Sequence, residues 1–196
     1  MLPGVTPRPR EVRAASALSF AIAGVSAAAI ATLLGCLAHL DTAGAVIRPM
    51  SGAGPEAAEA ITSIRADLRF QLIVAALTLL YFGLLGVLLL RPLRFVRPAV
   101  WVGAILLFLG WACGLAQNTE TQTERGSPAF PELQAAYHAL LPSWYSVANG
   151  FLVGSMFILL VALTIAVLRT GAAEYYEFGP HDPPPGGYAY LRPDRA

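Results

Sequence analysis

The segment at positions 91–98, Arg-Pro-Leu-Arg-Phe-Val-Arg-Pro, separates two long apolar runs and limits how the chain can fold. The runs cover residues 70–90 and 99–116. Arg91, Arg94 and Arg97, with a proline near each end, make a poor membrane span and predict a tight turn. Because short Arg-rich loops remain on the cytoplasmic side, this turn orients both runs.

Composition indicates a membrane protein. The chain has 196 residues, of which 56% are hydrophobic and only 13% charged, and its mean hydropathy is +0.60. Soluble domains carry about 25% charged residues. The net charge of +1 gives no field that would attract nucleic acid. We therefore expect the lipid bilayer as the surroundings and no nucleic-acid partner.

Four apolar runs predict four transmembrane helices, at about 16–38, 70–90, 99–116 and 147–168. A cytoplasmic segment, 1–15, precedes this membrane domain of 16–168. The tail, 169–196, is rich in Pro, Gly and Tyr and lacks apolar periodicity, so we expect it to be disordered. The predicted fold class is an all-α integral membrane protein, a four-helix bundle with both termini cytoplasmic.

Each of the two extracytoplasmic loops is predicted to contain a helix that leads into the next span. A Pro-Glu pair stands at 55–56 and again at 131–132, and both residues favour a first helical turn. The first of these helices should continue unbroken from about Pro55 to Leu90. The chain before it, from Gly44 onward, is expected to be irregular.

The distribution of arginine supports this topology. The predicted inner side holds nine arginines: Arg8, Arg10, Arg13, Arg91, Arg94, Arg97, Arg169, Arg192 and Arg195. The predicted outer side holds four: Arg48, Arg65, Arg69 and Arg125. This asymmetry predicts the cytoplasmic (inner) membrane with both termini inside. Arg91, Arg94 and Arg97 could also bind anionic lipid headgroups, and Trp144 and Tyr145 are typical of interfacial anchors.

Two alternatives concern the first half of the chain. A secretory signal peptide also begins with basic residues followed by an apolar run, and positions 33–36, Leu-Leu-Gly-Cys, resemble a lipobox that would lipidate Cys36. The long apolar run, Leu34 and Leu37 fit that pattern poorly. The two halves also share one plan of span, loop, Pro-Glu helix and span, so an internal duplication stays open.

Small residues predict where helices pack. Ala27, Ala31 and Gly35 repeat at four-residue spacing in the first span, and two Gly-x-x-x-Gly pairs lie at Gly110 and Gly114 and at Gly150 and Gly154. Such spacing lets helix backbones approach closely. We predict tight packing of spans three and four near the outer surface. The alternative is that glycine is simply frequent in membrane helices.

Four residues near the predicted outer surface could bind a soft metal or a haem: Cys36, His39, Cys113 and His138. Their spacing matches no diagnostic motif, so a buried inert cysteine and an interfacial histidine are the default interpretation, with no cofactor. A disulfide between Cys36 and Cys113 requires that spans one and three touch.

The predicted spans contain no Asp, Glu, Lys, Arg or His. This argues against a proton-translocating subunit or a secondary transporter acting alone, and no catalytic constellation is present. The leading hypothesis is a non-enzymatic accessory or assembly subunit that has a membrane-protein partner or forms a homo-oligomer. A redox or metal-handling protein is the first alternative. The second is a small transporter or channel lined by Ser26, Thr32, Thr78, Ser155 and Thr164.

Overall fold

The computed structural model describes residues 9–47, 55–116, 136, 138–169, 172 and 175–176, apart from the side chains at 56–57 and 111–116. Within these ranges the protein is all-helical, which confirms the all-α part of the predicted class. The four helices are α1 (Arg10–Ile47), α2 (Pro55–Leu88), α3 (Val96–Ala116) and α4 (Tyr145–Leu168). By length and composition α1, α4 and the Ala58–Leu88 part of α2 could cross a membrane, whereas the apolar segment Val96–Gly110 of α3 is shorter.

Helix α1 extends beyond the predicted span at both ends. It includes residues 10–15, with Glu11 in its first turn near the positive end of the helix dipole. It also continues to Ile47, so the prediction of irregular chain was wrong for residues 44–47, and residues 48–54 lie outside the described part of the chain. Gly44 is buried, and a Cβ there would lie 3.3 Å from Cδ1 of Ile61 in α2. This glycine serves a close contact between two helices and does not end the first one.

Helix α2 confirms the predicted long helix from Pro55. Proline occupies its first position, where the missing N–H breaks no helical hydrogen bond. The turn at 89–95 follows, and the Val96 N–H donates to the Leu93 carbonyl at 3.1 Å. Helix α3 therefore begins at Val96, a little before the predicted residue 99, because Pro98 is tolerated in a first helical turn.

Helix α1 is the centre of the arrangement. It packs along α2 and also against α4, whereas α3 packs on α2 and barely touches α4. The rings of Phe108 and Phe157 make one of the few α3–α4 contacts, with centroids 6.0 Å apart. The described helices therefore pack in one group, which we call the bundle and which is open between α3 and α4.

Two apolar clusters lie at the two ends of the bundle. One joins the start of α1, the α2–α3 turn and the end of α4, and the other joins the end of α1 and the starts of α2 and α4. We name the first the arginine end, for the arginines that lie there, and the second the opposite end. The arginine end carries Arg10, Arg13, Arg91, Arg94, Arg97 and Arg169.

Two buried serines connect α1 to α2 near the arginine end. Ser16 Oγ donates to the Gly86 carbonyl at 2.7 Å, and Ser19 Oγ donates to the Phe82 carbonyl at 2.8 Å. Both acceptors belong to helical backbone, so the hydroxyls can reach them only if the two helices are close. A Cβ on Gly86 would stand 3.0 Å from the Phe20 ring, which shows how little space separates them.

The chain after α4 corrects the predicted disordered tail. Ala172, Tyr175 and Tyr176 are helical, and Ala172 and Tyr176 are buried in the core of the arginine end. The two phenols donate to carbonyls at the end of α2, Tyr175 to Leu90 at 3.1 Å and Tyr176 to Leu89 at 2.8 Å. Because α2 ends at Leu88, these two carbonyls accept no helical hydrogen bond from an N–H later in the chain. The phenols satisfy them instead. Residues 177–196 lie outside the described part of the chain.

Candidate interaction site

One exposed side of α1 is built from small residues. They recur at alternating spacings of three and four, which keeps them on one side of a helix. Every one of them is exposed. This small-residue face consists of Ala14, Ala17, Ala21, Gly24, Ala28, Ala31, Gly35 and Ala38. Phe20 and Leu34, each about half exposed, lie beside it.

Within the described chain, the residues predicted to pack α1 are therefore not buried against another helix. Ala27, Ala31 and Gly35 are all exposed. The nearest atom to a Cβ built on Gly35 would be Cη2 of Trp144, at 3.9 Å. The four-residue spacing identified the correct side of the helix but not what that side contacts.

Helices α3 and α4 present the opposite kind of surface. Most of their outward side chains are large and apolar, and the following are each about half exposed or more: Trp101, Ile105, Phe108, Leu109, Phe151, Ile158, Val161 and Ile165. Large side chains cover the backbone, whereas small ones let a second backbone approach closely. The small-residue face of α1 is therefore shaped differently from the outward sides of α3 and α4.

Contacts between α2 and α3 replace the predicted packing of spans three and four. A Cβ on Gly110 would stand 3.0 Å from Val74 Cγ1, and a Cβ on Gly103 would overlap the ring of Tyr81. Sequence reasoning missed Gly103. The available signal was the seven-residue spacing of Gly103 and Gly110, which matches that of Val74 and Tyr81 in an antiparallel partner.

The glycines of α4 also depart from the predicted packing of spans three and four. Gly150 and Gly154 are exposed, and a Cβ on either would meet nothing within 4 Å. The prediction that they pack against span three was wrong, because α3 lies against α2. The surroundings of Gly114 are outside the described side chains.

An apolar cleft lies between α2 and α3, with a volume of about 340 Å³. Thr78 and Tyr81 contribute its hydroxyls, and both are already engaged with backbone. Thr78 donates to the Val74 carbonyl at 2.7 Å and Tyr81 donates to the Ala99 carbonyl at 2.6 Å. The cleft is suited to apolar groups and offers little to a polar ligand.

Cys36 and His39 lie near each other on α1 in different surroundings. Cys36 is a free thiol buried in the apolar cluster of the opposite end, so the alternative of a disulfide to Cys113 is not met. His39 is exposed, and its Nε2 lies 2.9 Å from the Ala139 carbonyl. His138 is exposed as well. No three His, Cys, Asp or Glu of the described residues are grouped to hold a metal, and the Cys113 side chain is not among those residues.

The two predicted interfacial anchors differ. Trp144 is about half exposed, but Tyr145 is buried, and its hydroxyl donates to Gln71 Oε1 at 3.2 Å. Tyr145 links α4 to α2 within the opposite end, and the role of both residues as interfacial anchors stays a prediction. An ion pair between Asp41 and Arg65 links α1 to α2 nearby.

The arginines of the predicted turn lie in and directly after the turn between α2 and α3. Arg91 and Arg94 are exposed in the α2–α3 turn, and Arg97, in the first turn of α3, is partly exposed. All three are at the arginine end with the start of α1 and the end of α4. Their roles in orientation and in binding headgroups stay predictions.

Most hydroxyls predicted to line a pore are bonded within their own helices. Ser26, Thr32, Thr78 and Thr164 each donate to the carbonyl four residues earlier, at 2.7–3.0 Å. Ser155 is partly buried. These bonds satisfy the hydroxyls without a permeating solute.

Comparison with known proteins assigns no function to this site. Comparisons with models of protein families, with curated proteins and with solved structures gave no match.

Proposed function

We propose that the chain is an integral protein of the cytoplasmic membrane, crossed by all four helices, with both termini in the cytoplasm. We further propose that it acts as a non-catalytic accessory or assembly subunit. It would dock another membrane protein against the small-residue face of α1.

The membrane embedding draws support from the helices. Helix α3 has 21 residues, which corresponds to roughly 30 Å at the helical rise and matches the hydrocarbon thickness. The outward faces of α3 and α4 carry large apolar side chains that would be costly to expose to water. All four helices are thus compatible in length with one bilayer.

The orientation draws support from charge. The arginine end gathers six arginines and, among the described residues, one acid, Glu11. The opposite end holds Arg65 and Arg69 together with the acids Asp41, Glu59 and Asp67. An excess of arginine is the usual mark of the cytoplasmic side.

The observation that carries the accessory role is the small-residue face. Helix association in a bilayer depends on close backbone approach, because lipid tails are as apolar as leucine and give no hydrophobic drive. A face of alanine and glycine provides that approach over the length of α1. The outward side of α3 and most of that of α4 carry large apolar side chains instead, and α4 exposes only the shorter pair Gly150 and Gly154.

The test is retention of a partner in mild detergent. Tagged wild-type protein is purified from its own membranes next to Gly24→Leu and Ala28→Leu, which enlarge the small-residue face. Val161→Leu, on the exposed face of α4, is the matched control. We expect a stoichiometric membrane protein with wild type and control, and its loss with both α1 variants.

Three outcomes would contradict this role. The protein could purify alone as a monomer, the α1 variants could retain the partner, or the control could lose it equally. Retention of a second copy alone would replace the accessory role by self-assembly.

Orientation is tested by labelling in intact cells. Both native cysteines are replaced by alanine, and one cysteine is introduced at Glu59 of the opposite end or at Arg94 of the arginine end. A membrane-impermeant maleimide should label the first and spare the second. The reverse pattern would invert the proposed topology.

A further inference from the structure

A groove at the arginine end lies between the start of α1 and the end of α4. Its volume is about 550 Å³, and it is lined by Arg10, Glu11 and Ala14 on one side and by Ala162, Ile165, Ala166 and Arg169 on the other. Alanines form most of the apolar part of the lining. Because their side chains are short, they leave open the space between the two helices.

The polar part of the groove carries a net positive charge. Arg10 and Arg169 are exposed, and Glu11 is partly buried. Two guanidinium groups and one carboxylate leave a net charge of +1, from 2 − 1. Arginine binds phosphate through two parallel hydrogen bonds, which makes a pair of arginines a good match for a phosphodiester.

On α1, exposed small residues continue from the groove toward the opposite end. Ala14 lines the groove and is also the first residue of the small-residue face. Ile165 is 53% exposed and borders the groove on α4. An acyl chain could therefore lie in the groove beside Ala14, at the end of the small-residue face, and leave the rest of that face to a partner.

We infer that this groove binds an anionic phospholipid, with its headgroup phosphate between Arg10 and Arg169 and one acyl chain against Ala14, Ala162 and Ala166. The net charges of site and ligand are then equal and opposite. The inference rests on the proposed membrane embedding and orientation but not on the accessory role.

The experiment is native mass spectrometry of the purified full chain in mild detergent. Phosphatidylglycerol or phosphatidylcholine with identical acyl chains is added, and the lipid adducts are titrated. We expect wild type to bind phosphatidylglycerol more tightly. Arg10→Gln and Arg169→Gln should each weaken that binding about three- to tenfold. Arg13→Gln, an exposed arginine of the same turn outside the groove, is the matched control and should leave it almost unchanged.

Two further variants test the chemistry and the shape of the site. Glu11→Gln removes a negative charge that repels the lipid phosphate, so it should strengthen the binding of phosphatidylglycerol. If an aminophospholipid occupied the groove, the same variant would weaken the binding of phosphatidylethanolamine, and the inference would be overturned. Ala14→Leu narrows the groove at an exposed position and should weaken lipid binding while leaving the fold intact.

Other results would overturn the inference directly. These are equal binding of the two lipids, equal loss with Arg13→Gln, or displacement of the lipid by millimolar inorganic phosphate, which would indicate a soluble phosphate as the ligand. Membrane fractionation separates the two proposals. A protein absent from membranes would refute both, whereas a membrane-bound protein with no effect of Arg10→Gln and Arg169→Gln would refute only the lipid site.

Discussion

The hydroxyl of Tyr176 donates to the Leu89 carbonyl at 2.8 Å and so connects the chain after α4 to the end of α2. Tyr176 is 1% exposed, and its ring packs edge-to-face on Tyr175 at 5.4 Å. Burial raises the pKa of Tyr176, and the neighbouring Tyr175 raises it further, so the phenol keeps its proton and remains a donor. Two residues that lie outside every predicted span therefore connect α2 to the chain after α4 at the arginine end.

Removing this hydroxyl should weaken the bundle. Tyr176→Phe deletes the donor and leaves the Leu89 carbonyl without it, so we expect a loss of about 1 kcal/mol. Tyr176→Ala also empties a core position and should cost about 3–5 kcal/mol. The measurement is the midpoint of thermal unfolding in mild detergent. Tyr175→Phe, whose hydrogen bond is longer and less buried, is the comparison and should lose less.

Removing a serine hydrogen bond between α1 and α2 should destabilise the protein more than removing one within a single helix. Ser16→Ala and Ser19→Ala each remove an interhelical donor, and each should cost roughly 0.6 kcal/mol, the average for such bonds in membrane helices. Ser26→Ala removes a bond within α1 and should change stability least. Reversible unfolding in mixed micelles measures all three. Equal losses of stability at the three positions would contradict the assignment of the Ser16 and Ser19 bonds as contacts between helices.

Two glycines in apolar helices should respond oppositely to the same change. Gly103→Ala places a methyl group against the Tyr81 ring, whose hydroxyl is bonded to the Ala99 carbonyl, so the ring cannot move freely. We expect a loss of about 1–3 kcal/mol, as for other overpacked sites. Gly150→Ala meets nothing within 4 Å and should leave the stability unchanged or raise it by up to about 1 kcal/mol.

Thermal unfolding of the two glycine variants in one detergent provides the comparison. A destabilised Gly150→Ala would mean that this face is covered by something beyond the described chain. An unaffected Gly103→Ala would mean that α3 is not held against α2 as the structure has it.

Cys36 should be inert in the folded protein. It is fully buried, so in a Cys113→Ala background it should react with a small maleimide only after denaturation. The measurement is the mass of the labelled protein with and without denaturant. His39→Cys, at an exposed position on the same helix, is the control and should react at once. Rapid labelling of Cys36 would contradict its burial.

Much of the secondary structure could be predicted from local signals. Pro55 marked the start of α2, and the arginines and prolines of residues 91–98 marked the turn before α3. The limits of α1 were harder to predict. Gly44 reads as a breaker in sequence, but contact with Ile61 keeps it helical. Contacts between helices can outweigh a local preference that is worth only about 1 kcal/mol.

The sequence by itself determined that this protein would be helical and apolar, with arginine concentrated at one end. These properties follow from composition and from the order of apolar runs, which no packing can alter. Tertiary structure decided which small residues meet another helix. Gly103 and Gly110 contact α2 while Gly150 and Gly154 face outward, because α3 lies on α2 and apart from α4. Spacing identifies one side of a helix, but only the positions of the other helices determine what that side touches.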